Sequence, residues 1–255
     1  MSANDELNLR QAFDAWSRIL GLDAVFDAVY AQEKYGQNTL GTKRALMGAL
    51  TPSDHFQVIE CVKVADQYEI PIYTLSTGKN WGYGSSLPVV ENCVILDLSR
   101  MNRILHFDPQ LGHVILEPGV TQQQLHEFLR MHNFAFMVPT TGAGPTVSVL
   151  GNALEKGFGI TPHEDHFGAV LQVKAILPDG SIYHSALHDM GGYRVDPIFK
   201  WKLGPYFEGL FVQGNFGIVT QASIALARTS LNLLPLLTMS TSKTQSRRFE
   251  ILNRN

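Results

Sequence analysis

The sequence has few cysteines, no long apolar run and no large excess of either charge. Cys61 and Cys93 are the only cysteines in 255 residues, so we expect two buried thiols in a reducing cytoplasm and no disulfide framework. The net charge of -3 argues against binding of nucleic acid or an anionic membrane through a general basic field. No apolar run approaches the ~20 residues of a membrane span, and the polar start "MSANDELNLRQ" lacks the pattern of a secretory signal. These absences favour a cytoplasmic globular protein that binds a small or redox ligand.

Helical spacing of apolar residues occurs in three parts of the chain. Residues 1–49 carry it twice and predict an N-terminal helical and connective segment. In "TPSDHFQVIECVKVADQYEI", Ser53 or Asp54 can cap a second helical region. In "TQQQLHEFLRMHN", Thr121 is the expected cap of an amphipathic helix.

Strand patterns alternate with these helices. "PIYTL" and "CVILDLS" predict two strands on either side of a glycine-rich stretch. "RILHFDPQLGHVILEPG" predicts two strands joined by a turn, and "AVLQVKAILPDGSIYHSAL" predicts a hairpin with its turn at Pro178-Asp179-Gly180. "GNFGIVTQASIALA" predicts a further strand, and residues 229–255 lose all periodicity. The sequence therefore predicts an α+β fold with mixed sheets and an irregular tail.

The stretch "TLSTGKNWGYGSS", residues 74–86, is rich in glycine and small polar residues. Glycine lets a ligand approach the main chain, and successive N–H groups in such a loop form an anion site. The spacing of Gly78, Gly82 and Gly84 fits neither the dinucleotide fingerprint nor the nucleoside-triphosphate loop, and a strand follows where a helix would be required. Taken alone, such a stretch between two strands is more typical of a hairpin connection than of a cofactor loop.

Five segments, taken in order, change that interpretation. They are "PIYTLSTGKNWGYGSSLP", "VILDLSRMNRIL", "HVILEPGVTQQQLHEFL", "LGNALEKGFGITPHEDHFGAVLQVKAILPDGSIYHS" and "GPYFEGLFVQGNFGIVTQASIAL". Their order resembles flavoproteins of the vanillyl-alcohol oxidase and p-cresol methylhydroxylase (PCMH) type. The resemblance covers roughly residues 50 to 228 and implies a PCMH-type FAD-binding domain of two α+β subdomains, with mixed β-sheets flanked by helices. The expected division is then 1–49, 50–228 and 229–255.

The resemblance also implies which residues bind FAD, mostly through the main chain. Along the diphosphate it implies Ser76, Thr77, Gly78, Lys79, Asn80, Gly82, Tyr83, Gly84 and Ser85. At the subdomain junction it implies Pro118 and Gly119. Along the ribityl chain and the flavin ring it implies Thr140, Thr141, Gly142, Gly151, Asn152 and the turn Gly157, Phe158 and Gly159. Beside the adenosine half it implies Gly217, Ile218, Val219 and Thr220.

Two polar groups have simpler interpretations than a further site. "HEDH" places His163, Asp165 and His166 close together, but neighbouring loop residues rarely converge on one metal ion. We expect Asp165 and His166 to form a hydrogen-bonded turn beside the cofactor, with no metal; His163 stands where the family has an aromatic residue. We expect the second group to be solvated surface residues; its members are Tyr193, Arg194, Lys200, Trp201 and Lys202.

Members of this family are longer, and their second half supplies the substrate pocket. We therefore expect either an oxidoreductase acting on a small phenolic or hydroxy-acid substrate, or a cap-less or truncated FAD module that needs a partner and self-associates through exposed apolar surface. An electron-acceptor protein is a further expected partner. The related flavin subunit of molybdenum hydroxylases is a weaker alternative, since no cysteine cluster could hold an iron–sulfur centre. Neither Lys79 nor Asn80 is the histidine needed for a tether, so noncovalent FAD is expected, and the sequence identifies no catalytic residue.

Overall fold

The computed structural model describes residues 3–80, 86–159 and 165–229, and the strands of these residues form two sheets. The first sheet contains β1 (Val25–Phe26), β2 (Leu46–Leu50), β3 (Ile72–Leu75) and β4 (Cys93–Asp97). Its strand order is β1-β2-β4-β3, with β1 antiparallel to β2 and both β2 and β3 parallel to β4. The first sheet is therefore mixed, with β4 near its centre and wholly buried.

Helices cover both faces of the first sheet. They are α1 (Ala3–Leu20), α2 (Ala28–Tyr35) and α3 (His55–Gln67). On one face, Trp16 of α1 packs with α3, and its Nε1 donates a hydrogen bond to the Cys61 carbonyl at 3.2 Å. On the other face, Ala31 and Tyr35 of α2 pack against Ile95 of β4. Burial of apolar surface on both faces explains why β4 consists almost entirely of apolar residues.

The second sheet is antiparallel throughout. It contains β5 (Ile104–Asp108), β6 (His113–Leu116), β7 (Val170–Ile176), β8 (Ile182–Tyr183) and β9 (Ile218–Ala225), in the order β5-β6-β9-β7-β8. Two helices, α4 (Gln122–Met131) and α5 (Val149–Leu154), contribute Leu125, Leu129 and Leu150 to the core on this sheet. A short helix, α6 (Ala186–Asp189), follows β8, and single 3-10 turns span Leu22–Ala24, His166–Ala169 and Glu208–Phe211.

Local signals in the sequence identified several of these elements. Asp54, not Ser53, caps α3 and accepts a hydrogen bond from the Gln57 amide at 2.9 Å. Thr121 caps α4 in a reciprocal capping box with Gln124. The hairpins β5–β6 and β7–β8 occur where their turn residues predict them. The predicted α+β fold with two sheets is thus confirmed, as is the burial of both free cysteines.

The structure differs from the sequence interpretation in two places. Because β3 and β4 are parallel, with Ile72 opposite Val94, the glycine-rich stretch between them cannot be a hairpin connection, and that alternative was wrong. In addition, β1 lies within the segment 1–49, which was predicted to be helical and connective, and β2 begins within it at Leu46, so the first sheet starts before residue 50. The domain boundaries themselves stay predictions. In the described part of the chain, no helix is long and apolar enough to cross a bilayer.

Candidate functional site

A cleft of about 620 Å³ lies between the two sheets. Three parts of the chain form most of its walls: the end of β3 with the following loop, the region around α5, and the start of β9. This volume lies within the usual range for sites that bind small molecules or cofactors. The cleft is therefore the principal candidate for the functional site among the described residues.

Ser148 joins three walls of the cleft. Its main-chain N–H donates to Thr77 Oγ1 at 3.1 Å, and its hydroxyl donates to the Pro118 carbonyl at 2.5 Å. The same hydroxyl caps α5 by accepting a hydrogen bond from the Gly151 amide at 2.8 Å. Ser148 is almost completely buried, so these hydrogen bonds fix the loop after β3 relative to α5. Sequence reasoning missed this residue, although a serine just before "VLGNAL" is a recognisable helix cap.

Close approach to neighbouring groups explains several glycines at the site. A side chain at Gly151 would collide with the Ser76 hydroxyl, and one at Gly157 would collide with the Asn152 amide. A side chain at Gly159 would collide with the Thr140 carbonyl and the His166 ring. Gly142 differs, because a Cβ there would meet no protein atom within 4 Å. Glycine thus permits tight packing at three positions and leaves open space at the fourth.

Most of the predicted site residues line this cleft. They are Ser76, Thr77, Gly78, Lys79, Asn80, Pro118, Thr141, Gly142, Gly151, Asn152, Gly157, Gly217, Ile218 and Val219. Gly119 lines a neighbouring cavity, whereas Gly159 is buried and Phe158 is exposed. Thr140 is exposed, with its carbonyl against Gly159. Gly82, Tyr83, Gly84, Ser85 and His163 lie outside the described residues. The structure therefore brings together segments far apart in the sequence, while their contacts with FAD stay predictions.

The cleft wall is mainly apolar and neutral, with one residue of each charge among the described lining residues. Lys79 is the cation and Glu155 is the carboxylate. Glu155 is open to solvent on one side, and partial loss of hydration against the cleft wall raises its pKa above the usual value. Burial also raises the pKa of the Tyr73 phenol nearby, and the negative charge of Glu155 adds to that effect. Sequence reasoning did not single out Glu155 or Tyr73, although both stand in segments that carry the family resemblance.

A neighbouring cavity of about 600 Å³ shares Leu75, Thr77, Gly78 and Lys79 with the cleft. The buried Asp97 carboxylate in its wall accepts hydrogen bonds from the Tyr35 hydroxyl at 2.7 Å and the Ser99 amide at 2.8 Å. Lys34 Nζ lies 3.6 Å from the same carboxylate. Burial, followed by the charge of Asp97, raises the pKa of Tyr35. The loop after β3 therefore has cavities on two sides.

The described part of "HEDH" forms the expected turn. Asp165 Oδ1 accepts a hydrogen bond from the Phe167 amide at 3.1 Å, and the buried His166 ring contacts the Asn152 amide. Within the described ranges, no group of three or more His, Cys, Asp or Glu side chains could hold a metal ion. These contacts link the turn to α5 beside the cleft.

Lys202 contradicts the expectation of a solvated surface. Its side chain is only 2% exposed, and its Nζ lies 2.9 Å from Asp196 Oδ1. The Ser185 hydroxyl donates to the same carboxylate, so the ion pair lies in a buried polar cluster. Tyr193 and Trp201 do lie at the surface. The sequence gave no sign of the pairing because Lys202 and Asp196 approach only through a chain reversal between them.

Comparisons with known proteins agree with the fold. A family model described as "FAD binding domain" matches residues 47–186. The chain is 35% identical over 219 residues to 1'-carboxy-chondrochloren decarboxylase of Chondromyces crocatus, covering 86% of this chain and 40% of that protein. It is 34% identical over 218 residues to the 4-cresol dehydrogenase [hydroxylating] flavoprotein subunit of Pseudomonas putida, covering 83% and 41%. The crystal structure of p-cresol methylhydroxylase with substrate bound superimposes with a TM-score of 0.84 at 31% identity, covering 88% of this chain and 44% of that chain.

The matched regions do not extend over the whole of these proteins. The chain spans about two fifths of the length of the curated relatives it matches. The match to the superimposed structure is likewise to less than half of that chain. The comparisons therefore describe the part of those proteins that contains the two sheets and the cleft.

Proposed function

This chain belongs to the FAD binding domain family, and on that premise we propose that it forms the FAD-holding part of an oxidoreductase. The observation that carries the proposal is the cleft of about 620 Å³ between the sheets, with the loop Ser76–Asn80 in its wall. Ser148 holds this loop against α5 through Thr77. A fixed loop of small residues beside a single lysine suits a diphosphate, which main-chain N–H groups and a cation bind together.

The residues present fit an extended FAD molecule. Open space beside Gly142 leaves room for a ligand, and Gly151 lets Ser76 of the loop approach α5 closely. The proposed cofactor contacts comprise the predicted residues that line the cleft, together with Gly119, Thr140, Gly159 and the segment Gly82–Ser85. The chemistry supplied by bound FAD is acceptance of a hydride from a substrate carbon. The chain's own residues bind and orient the cofactor, and the apolar walls around Leu98, Leu150 and Phe211 exclude water.

The proposed substrate is a small phenol, with a 2-hydroxy acid as the other class. The names of two relatives, 4-cresol dehydrogenase and p-cresol methylhydroxylase, support a phenol. We propose noncovalent attachment, because Lys79 and Asn80 provide no histidine at the loop. An electron-acceptor protein is the proposed partner, and the separate free thiols of Cys61 and Cys93 support a cytoplasmic location.

A second candidate function is an FAD-binding module that requires another polypeptide for catalysis. Large apolar side chains are exposed between α6 and β9, among them Met190, Trp201 and Phe216. Exposed apolar patches of this kind favour association, either with such a polypeptide or with a second copy.

Absorption spectroscopy of the purified chain, before and after acid precipitation, tests these proposals. Flavin bands that pass into the supernatant would support noncovalent FAD, whereas colour in the pellet would overturn that part. A colourless protein that takes up no added FAD would contradict the cofactor proposal altogether. Reduction of the bound flavin by 4-alkylphenols or 2-hydroxy acids would support the oxidoreductase, and absence of any reduction would favour the module.

A further inference from the structure

The Asn152 carboxamide and the His166 imidazole form a hydrogen bond at the edge of the cleft. The His166 ring is buried, and its Nδ1 is the atom that faces Asn152 Nδ2. Asn152, in α5, lines the cleft, whereas His166 lies outside the set of lining residues. The hydrogen bond therefore connects a side chain of the cleft wall to a buried ring behind that wall.

Two glycines allow this pair to form. A Cβ atom at Gly157 would overlap Asn152 Oδ1, and a Cβ atom at Gly159 would overlap the Nε2 edge of the His166 ring. A side chain at either position would therefore displace one member of the pair. The close approach of the main chain to both polar groups explains why glycine occurs at residues 157 and 159.

The 3-10 turn that carries His166 is held in place by contacts outside the cleft. Asp165 Oδ1 caps this turn by accepting a hydrogen bond from the Phe167 amide at 3.1 Å. Lys200 Nζ donates to the Phe167 carbonyl at 3.4 Å, which joins the turn to the segment before β9. Because the turn is held on two sides, the imidazole is a fixed partner for the less buried Asn152 side chain.

The direction of this hydrogen bond determines what Asn152 offers to a ligand. A carboxamide has a donor nitrogen and an acceptor oxygen. Because the donor Nδ2 faces His166, the imidazole Nδ1 must be the unprotonated acceptor. The Asn152 oxygen then lies on the side of Gly157, which also lines the cleft. The pair therefore presents a hydrogen-bond acceptor at the cleft wall.

We propose that His166 is a positioning residue, which holds the Asn152 carboxamide with its oxygen available to a hydroxyl or N–H donor of the bound flavin. The inference rests on the proposed function, since it assumes that the cleft holds FAD. The ribityl chain of FAD carries hydroxyl donors and the isoalloxazine ring carries one N–H donor, whereas the diphosphate has only acceptors. A carboxamide that is already oriented loses less conformational entropy on binding than one that the ligand must orient.

Titration of flavin-free protein with FAD tests this arrangement with two variants of matched shape. Asparagine and leucine have the same branched outline, so His166→Asn and His166→Leu leave the same space. His166→Asn places an oxygen acceptor where Nδ1 lies, whereas His166→Leu places a methyl group there. We expect the dissociation constant for FAD to rise about tenfold in His166→Leu, the usual effect of a lost buried hydrogen bond, and much less in His166→Asn. His126→Leu, which alters an exposed histidine on α4, should bind FAD as the wild type does.

The same titrations in an Asn152→Leu background show whether His166 acts through Asn152. In that background the two His166 variants should bind FAD equally, because no carboxamide remains to be positioned. Titration of the wild type with 3-methyl-FAD, which lacks the ring N–H group, distinguishes the two possible donors. Weaker binding of this analogue assigns the contact to the ring, and unchanged binding assigns it to a ribityl hydroxyl.

Long-range 1H–15N correlation spectra of the wild-type chain identify the protonated nitrogen of His166 without any variant that must fold. We expect the proton on Nε2, and a proton on Nδ1 would overturn the inference. Equal loss of FAD affinity in His166→Asn and His166→Leu would also overturn it, as would a difference between them that persists with Asn152→Leu. Each of these results leaves FAD binding itself intact, whereas failure of the wild-type chain to bind FAD overturns the proposed function as well.

Discussion

The His55 imidazole at the start of α3 is hydrogen bonded to the Thr220 hydroxyl of β9, with Nδ1 and Oγ1 2.8 Å apart. The Thr220 hydroxyl donates in turn to the Lys174 carbonyl at 3.3 Å, so His55 Nδ1 carries the proton and acts as the donor. This contact joins the helical layer of the first sheet to the second sheet. It therefore stabilises the relative position of the two sheets on either side of the cleft.

The free energy of unfolding should decrease as the pH is lowered, because of His55. Burial, followed by repulsion from Lys174 and His184, lowers the pKa of His55 to about 4, whereas a histidine in an unfolded chain titrates near 6.5. Between these values the unfolded chain binds more protons, so the stabilisation present above about pH 6.5 is lost as the pH falls towards 4. When the pH is lowered from 7.5 to 4.5, the free energy of unfolding measured with denaturant should fall by about 1–3 kcal/mol more in the wild type than in His55→Gln. This range allows for the partial exposure of His55. An identical loss in both proteins would contradict this prediction.

Replacement of Gly151 by alanine should disturb the cofactor loop. The new methyl group would collide with the Ser76 hydroxyl, so the loop after β3 must move away from α5. We expect the affinity for FAD to fall by about tenfold, since such crowding typically costs about 1–3 kcal/mol. Flavin titration of flavin-free protein measures the change.

Two further variants test the cause of this loss. Adding Ser76→Ala to Gly151→Ala removes the oxygen atom that collides and should restore most of the affinity. Gly168→Ala is the matched control, because its methyl group would make only ordinary contacts with Asp165 at 3.6 Å. If the double variant binds FAD as weakly as Gly151→Ala, the collision with Ser76 is not the cause.

Loss of the Lys79 charge should weaken FAD binding and reduce its dependence on salt. Lys79 is the one cation among the described lining residues of the cleft, and a cation near a diphosphate contributes an attraction that salt screens. For Lys79→Gln we expect a loss of about tenfold at low salt, equivalent to about 1.4 kcal/mol, and a smaller loss at high salt. Titrations at two ionic strengths provide the measurement. Lys43→Gln, which alters an exposed lysine outside the cleft, should leave both affinities unchanged, and an equal effect there would show that only net charge matters.

The contributions of Lys202 and Asp196 to the unfolding free energy should be strongly coupled, because the two side chains form a buried ion pair. Both side chains are 2% exposed. Among the described residues, Lys202→Met therefore leaves the buried carboxylate with the Ser185 and His188 side chains as its polar side-chain neighbours. We expect this variant to lose about 3 kcal/mol of unfolding free energy, because an uncompensated buried charge is costly. The double variant Asp196→Asn with Lys202→Met should lose less than the sum of the single changes. Strict additivity in denaturant unfolding would refute the coupling.

The sequence predicted correctly those structural features that depend on residues close together in the chain. The Asp54 and Thr121 caps and the turn at Pro178-Asp179-Gly180 are local features, and each occurs as predicted. The pairing of β3 with β4 is not local, and the glycine-rich connection allowed either direction until the parallel register was known. The two-residue strand Val25–Phe26 is too short for any alternation to appear.

The residues of the candidate site likewise fall into those that the sequence identifies and those that only the folded structure reveals. The glycines of the loop after β3 and of α5 stand out in sequence because each belongs to a motif. Ser148 does not, since its role depends on hydrogen bonds to Thr77 and Pro118 that only the folded chain forms. Lys202 misled the sequence interpretation because burial of a lysine depends on a partner, Asp196, that only the folded chain supplies.

The hydrogen bond from the Ser148 amide to Thr77, between residues 71 positions apart, has a consequence for biosynthesis. The walls of the cleft come from β3, α5 and β9, and β9 ends only at Ala225. A growing chain on the ribosome cannot complete the cleft until β9 has emerged and inserted between β6 and β7. Flavin loading is thus a late event, and a nascent chain stalled before β9 exposes the open edges of β6 and β7 to chaperones.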